Sequence, residues 1–163
     1  MVALWQAAPP PSGFAALWHH PLRSPAELTA LRARVRTATT GRPTVERPER
    51  DTWPERLVLI VDELASNALR HGGAPVEATL SRADRRWMIA VSDTSARMPP
   101  APAQGRDPSL GGFGLYLVAD LSIAHGWCPE DAAKTVWAVV ESEPVAGEDP
   151  LRSARPTPPD TRG

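Results

Sequence analysis

Glu63 and Asn67 stand one helical turn apart in "VDELASNALRHGG", Val61 to Gly73, amid leucines and alanines that otherwise suit a core helix. Residues at this spacing share a face, so a carboxylate and an amide are aimed the same way. Ile60, Glu63, Asn67 and His71 fall on one stripe, and Leu57, Val61, Leu64 and Ala68 form the neighbouring one that should face the core. The polar pair is therefore expected at the edge of the buried face, partly desolvated yet open to a ligand. An ordinary amphipathic border has the same pattern.

Two further places carry recognisable chemistry. Asp93 directly follows the apolar run "WMIAVS", where a carboxylate can accept hydrogen bonds from an amino group at the bottom of a pocket. It also suits a turn, since "DTS" is good turn chemistry. "GGFG", Gly111 to Gly114, lies where a loop enters a helix, so backbone N–H groups there can converge on an anion. A plain hinge explains the glycines equally well. The dinucleotide-binding pattern and the phosphate loop ending in Gly-Lys-Ser/Thr are both absent from this stretch.

The elements that must position these groups are legible from start and stop signals. "SPAELTALRARVRTAT" opens a helix with Ser24, Pro25 and Glu27, and "TWPERLVLIVDELASNALRHGG" repeats the signal with Thr52, Pro54 and Glu55 before stopping at Gly72 and Gly73. Val76 to Ser81 and Arg86 to Ser92 read as a hairpin turning at Ala83 to Arg85. A long Pro-rich loop follows from Thr94 to Leu110, of a length that is usually functional. "GGFGLYLVADL" begins a third helix; "SIAHGWC" and "KTVWAVVES" close the domain as a strand pair. "FAALWHHPL" suits an edge strand ended by Pro21. Arg32, Arg34 and Arg36 look like a solvated helix face.

Composition narrows the classes. The formal charge is −1, and Lys134 is the only lysine among eighteen basic residues, so no general basic face for nucleic acid is expected. With Cys128 as its single cysteine, the chain can build neither an internal disulfide nor a thiolate zinc site. His19, His20 and His71 lack the clustered partners that a metal site needs. No apolar run approaches the roughly 20 residues that span a bilayer. No membrane insertion and a cytoplasmic location are therefore expected. Residues 1–12 and 143–163 are too poor in large apolar side chains to repay ordering, so both are expected as disordered tails around a domain over residues 13–142.

Taken in order, Glu63 with Asn67, Asp93, the glycines at 111–114 and "KTVW" resemble the ATP-binding domain shared by anti-sigma-factor serine kinases, histidine kinases, type II topoisomerases and Hsp90 chaperones. The likeness is nearest to the small bacterial anti-sigma-factor kinase branch and spans roughly Phe14 to Ser142. It implies Glu63 as general base, Asn67 as a magnesium ligand and Asp93 as the reader of adenine. Gly112, Phe113, Gly114 and Leu115 match the motif that wraps the phosphates, and Thr135 matches a threonine near the adenine pocket. These roles are chemically coherent. Magnesium beside nucleotide phosphates needs few protein oxygens, and an ionised carboxylate, which only accepts, favours an adenine amino group over a guanine carbonyl. The chain departs from the family where glycines normally follow the aspartate, having Thr94, Ser95, Ala96 and Arg97, and has Ala133 where a glycine is common.

The expected fold is an α+β two-layer sandwich, with a mixed, largely antiparallel sheet and three helices on one face. The expected function is Mg2+-dependent ATP binding and phosphorylation of a serine or threonine on an anti-anti-sigma, STAS-type protein, together with sequestration of a sigma factor. Homodimers are common in the resembled branch and are among the assemblies it implies. A non-catalytic binding module of the same fold, and an accessory ATPase of a membrane-associated signalling complex, are the alternatives.

Overall fold

Strand alternation decides which side of this molecule the helices cover. The computed structural model describes residues 5–44, 52–101 and 113–143, in which β1 (Ala15–Leu22), α1 (Leu28–Thr40), α2 (Trp53–His71), β2 (Val76–Ala83), β3 (Arg86–Asp93), α3 (Gly114–Leu121), β4 (Ala124–Pro129) and β5 (Lys134–Glu141) follow one another. Trp87, Ile89 and Val91 on β3 and Val136, Ala138 and Val140 on β5 point one way and join the large core with Leu57, Ile60, Val61, Leu64 and Ala68 of α2. The alternate residues Met88, Trp137 and Val139 point the other way and form a smaller cluster with Ala8, Phe14, Ala90 and Ala124. One helical layer thus covers one face of the sheet, an α+β sandwich.

The sheet has the order β1-β2-β3-β5-β4, and every pairing of named strands is antiparallel. The parallel element expected of a mixed sheet is confined to a bridge between Ala7 and Trp127 on β4. β1 lies at the opposite edge, as its proline suggests. The hairpin turns through Asp84, whose φ of 51° is tolerated by an aspartate in a tight turn.

Residues 5–12 differ from the mobile arm expected over 1–12. Trp5 is buried against the His125 ring, at 4.7 Å between centroids, and Trp137 donates its indole N–H to the Ala8 carbonyl at 2.9 Å. Trp5 repays the ordering of this short segment by joining the main core, and Ala8 by packing on the other face of the sheet beside Met88, Trp137 and Val139. Of the tail expected from Glu143 onward, residues 144–163 lie outside the described residues; Glu143 itself accepts a hydrogen bond from Arg56 at 3.2 Å.

The arginines of α1 are engaged, which corrects the expectation of a solvated face. Arg36 meets Glu55 of α2 with two nitrogens, at 3.0 and 3.2 Å, and Arg32 pairs with Asp62. Arg34 lies over the Trp18 ring at 4.7 Å and approaches His20 Nδ1 at 3.0 Å. These contacts set α1 against α2 and β1, and hold α2 in a fixed register over the sheet. The hydrogen bonds to Glu55 raise the Arg36 pKa above its ordinary value, the Glu55 charge adds to that rise, and burial opposes it. Among the described residues no helix is long and apolar enough to cross a membrane.

Candidate functional site

The position of α2 places the polar stripe where its spacing suggests. Leu57, Ile60 and Val61 are fully buried and Leu64 and Ala68 nearly so, whereas Glu63 and Asn67 are half-buried and His71 is exposed. Glu63, Asn67, Arg70 and His71 line one wall of a narrow cleft, and Gly114 and Leu115 at the start of α3 line the other. The cleft is therefore the seam between two helices, a carboxylate and an amide on one side and a helix N-terminus on the other.

Contact across that seam is close. A Cβ at Gly114 would lie 1.9 Å from Glu63 Oε2 and 2.7 Å from its Cδ, a distance no side chain accepts. Glycine at this position lets the helix start rest on the carboxylate. Leu115 is 3% exposed and anchors α3 in the main core, while Phe113 is exposed and lies 6.3 Å from Tyr116, centroid to centroid. Of the phosphate motif, Gly114 and Leu115 thus reach the cleft and Phe113 sends its side chain away from the core. Gly112 lies outside the described residues, as do Gly111 and the 102–110 part of the expected Thr94 to Leu110 loop.

Electrostatics favours a basic carboxylate here. Partial burial pushes the Glu63 pKa above the ordinary carboxylate value, the Asp62 charge adds to that rise, and Arg70 opposes it. Arg70 is itself steadied by Ser66, whose hydroxyl and carbonyl accept at 2.9 and 3.3 Å. A glutamate with a raised pKa is a better proton acceptor for a hydroxyl than a fully solvated one.

Asp93 occupies the far end of α2. It is 2% exposed, and a Cβ at Gly72 would lie 2.5 Å from its Cγ, so the glycine that stops α2 is also what lets the helix end meet this carboxylate. Glu63 and Gly72 are separated by roughly two and a half turns, about 13 Å of helix rise. The two carboxylates therefore stand toward opposite ends of an elongated surface. Asp93 Oδ1 accepts the Ser95 N–H at 2.8 Å and Oδ2 lies 3.7 Å from Lys134 Nζ.

Thr135 is the expected site residue that the structure does not bring to Asp93. On β5 it pairs with Ser92 of β3 and Cys128 of β4, while Lys134 pairs with Asp93. The two-residue alternation of the strand then sends Thr135 to the face away from the helices and Lys134 to the face that carries Asp93, Val136 and Ala138. Sequence reasoning passed over Lys134 and Arg70. The first could have been noticed as the single lysine, the second as the residue one turn beyond Asn67 on the same helix edge.

The sequence that builds this arrangement is similar to that of known proteins. The profile of the histidine kinase-like ATPase domain aligns with residues 23–140. This chain belongs to that family. A relative, the signal transduction histidine-protein kinase AfsQ2 of Streptomyces coelicolor, is 35% identical over 82 residues, which cover 44% of this chain and 15% of the relative. The chain thus corresponds to a small part of that protein's length. The residues present fit the family's ligands. ATPase domains of this type bind ATP, usually with Mg2+; Asn67 offers a hard amide oxygen for the cation, and the start of α3 at Gly114 is where backbone N–H groups would meet a phosphate. Among the described residues no group of three His, Cys, Asp or Glu side chains gathers to hold a metal. A magnesium ion here would depend on phosphate oxygens and one protein amide.

Proposed function

We propose that this protein binds Mg-ATP in the α2–α3 cleft and transfers the γ-phosphoryl group to a serine or threonine of an anti-anti-sigma, STAS-type partner, while also holding a sigma factor. The observation that carries the chemical part is the contact between the Glu63 carboxylate and Gly114 beside Asn67 in one cleft. The partner class is supported by the resemblance to the anti-sigma-factor kinase branch.

In this mechanism ATP supplies the phosphoryl group, and Mg2+, when bound, would offset its charge. Asn67 would hold the cation through its amide oxygen. The α3 N-terminus directs its N–H groups and dipole at the same phosphates. Glu63 accepts the proton as the partner's hydroxyl oxygen bonds to the γ-phosphorus and the bond to the β-phosphate oxygen breaks, leaving ADP. Asp93, at the other end of α2, accepts from the adenine amino group. Exclusion of water falls to the helix seam, which has Leu115 beneath it.

A second reading is a non-catalytic nucleotide- or partner-binding module. It is favoured by Thr94, Ser95, Ala96 and Arg97, which replace the family's first glycines with a less adaptable backbone. Incubation of the purified chain with Mg-ATP, radiolabelled at the γ-phosphate, and a STAS-type protein separates the two. Transfer that disappears in Glu63→Gln supports the kinase; tight ATP binding with no transfer to any such partner supports the binding module.

A further inference from the structure

We propose that Lys134 is the positioning residue at the base end of the nucleotide site, holding Asp93 and the turn after it so that discrimination between adenine and guanine depends on its ammonium group. The proposal deepens the nucleotide-binding reading and rests on Asp93 meeting the base.

The lysine is placed by strand register. Asp93 and Lys134 are direct partners across β3 and β5, both on the helix-covered face, at 2% and 4% exposure. Nζ lies 3.7 Å from Asp93 Oδ2 and donates to the Met98 carbonyl at 2.8 Å. A long, strongly hydrated side chain is almost never this buried without a partner that repays its desolvation. Here it has two, and they belong to the two parts that must stay in register: the carboxylate and the loop.

The surrounding contacts complete a clamp on residues 93–98. Ser95 N–H donates to Asp93 Oδ1 at 2.8 Å, and Met98 N–H donates to the Ser95 carbonyl at 3.1 Å. Thr94 N–H donates to the Gly73 carbonyl at 2.9 Å and its hydroxyl to the Ala74 carbonyl at 3.2 Å. The turn after Asp93 is thus pinned to the end of α2 on one side and to Lys134 on the other.

Selectivity follows from how the acceptor is held. An ionised carboxylate accepts only, and with about four acceptor positions it still has room for an amino group after Ser95 and Lys134 are served. Removing the ammonium takes away the partner 3.7 Å from Oδ2 and the tie to the Met98 carbonyl, so the carboxylate is free to turn and no longer presents one acceptor direction to the base. The ammonium thus keeps the reader fixed in direction.

Calorimetric titration of ATP and of GTP into the wild-type chain and Lys134→Met, in magnesium buffer, tests this. Expected are a loss of about tenfold in ATP affinity and a narrowing of the ATP-over-GTP preference by a similar factor. A variant with ATP affinity lowered or unchanged but its base preference intact overturns the proposal. Should Lys134→Met fail to fold, the wild-type protein decides. Labelled with 15N-lysine, it has a single side-chain ammonium signal, because Lys134 is the only lysine. That signal is expected to move with ATP and hardly at all with inorganic tripolyphosphate. An unmoved signal in a protein saturated with ATP overturns the proposal. A wild-type chain that binds neither nucleotide overturns the underlying nucleotide reading as well, whereas binding with unchanged preference in the variant removes only the role of Lys134.

Discussion

Glu63 is the residue at which stability and chemistry pull in opposite directions. Its pKa lies above the ordinary value because partial burial disfavours the charged form. The native state therefore retains a proton that the unfolded chain has lost, between the ordinary carboxylate value and the raised one. Stability is greater below that window and declines as pH rises through it. Glu63→Gln removes the decline, so the variant should melt above the wild type at neutral pH and the difference should shrink in acid. Thermal unfolding at several pH values checks this, and a variant that melts lower at neutral pH contradicts it. The same substitution should leave ATP affinity within about twofold and cut phosphate transfer by on the order of 10²-fold, the usual contribution of a positioned base. Asn67→Ala should do the reverse. It is expected to weaken magnesium-dependent ATP binding by at least about tenfold with little change in melting temperature, since a half-buried border amide contributes little to the core.

Helix placement explains why those side chains converge, and the Gly114 contact makes this testable. Alanine is the better helix former by about 0.8–1 kcal/mol, so a structural effect alone predicts that Gly114→Ala is tolerated or stabilising. The overlap with Glu63 Oε2 predicts loss of phosphate transfer by about tenfold or more through displacement of the base. Turnover equal to the wild type would show that the seam can give. Much of this element scale was legible in the sequence: the border spacing of Glu63 and Asn67, the glycines before α3 and the hairpin ending at Asp93 all follow local periodicity and turn chemistry. What was not legible needed a tertiary neighbour. Thr135 and Lys134 differ by one residue, and in a strand one residue is the choice of face, which only pairing with β3 fixes. Arg32 and Arg36 look solvated on α1 until α2 brings Asp62 and Glu55 beside them. Arg36→Met should cost about 2–3 kcal/mol, because the Glu55 charge is then left largely buried without a partner. Chemical denaturation would show it, and a change below about 0.5 kcal/mol would mean that the pair is no more than a surface contact.

At the scale of the whole molecule, the sheet has one face for the helices and another that the N-terminal segment helps to cover. Trp5 and Ala8 were unreadable as structural residues because their partners, among them His125, Met88 and Trp137, lie far along the chain. Removing residues 1–8 should expose Trp137, red-shift its emission and lower the melting temperature by about 2–4 °C for each 1 kcal/mol lost. ATP affinity should change little, since none of the described residues in this segment lines the cleft. The central claim of the proposed function is that Asn67 holds magnesium against a bound nucleotide. Isothermal titration of ATP into the wild-type chain, with Mg2+ and with the metal chelated, tests it most directly. The account predicts saturable one-to-one binding that weakens at least about tenfold on chelation. Heat-silent mixing under both conditions, or equal affinity with and without the metal, would contradict it.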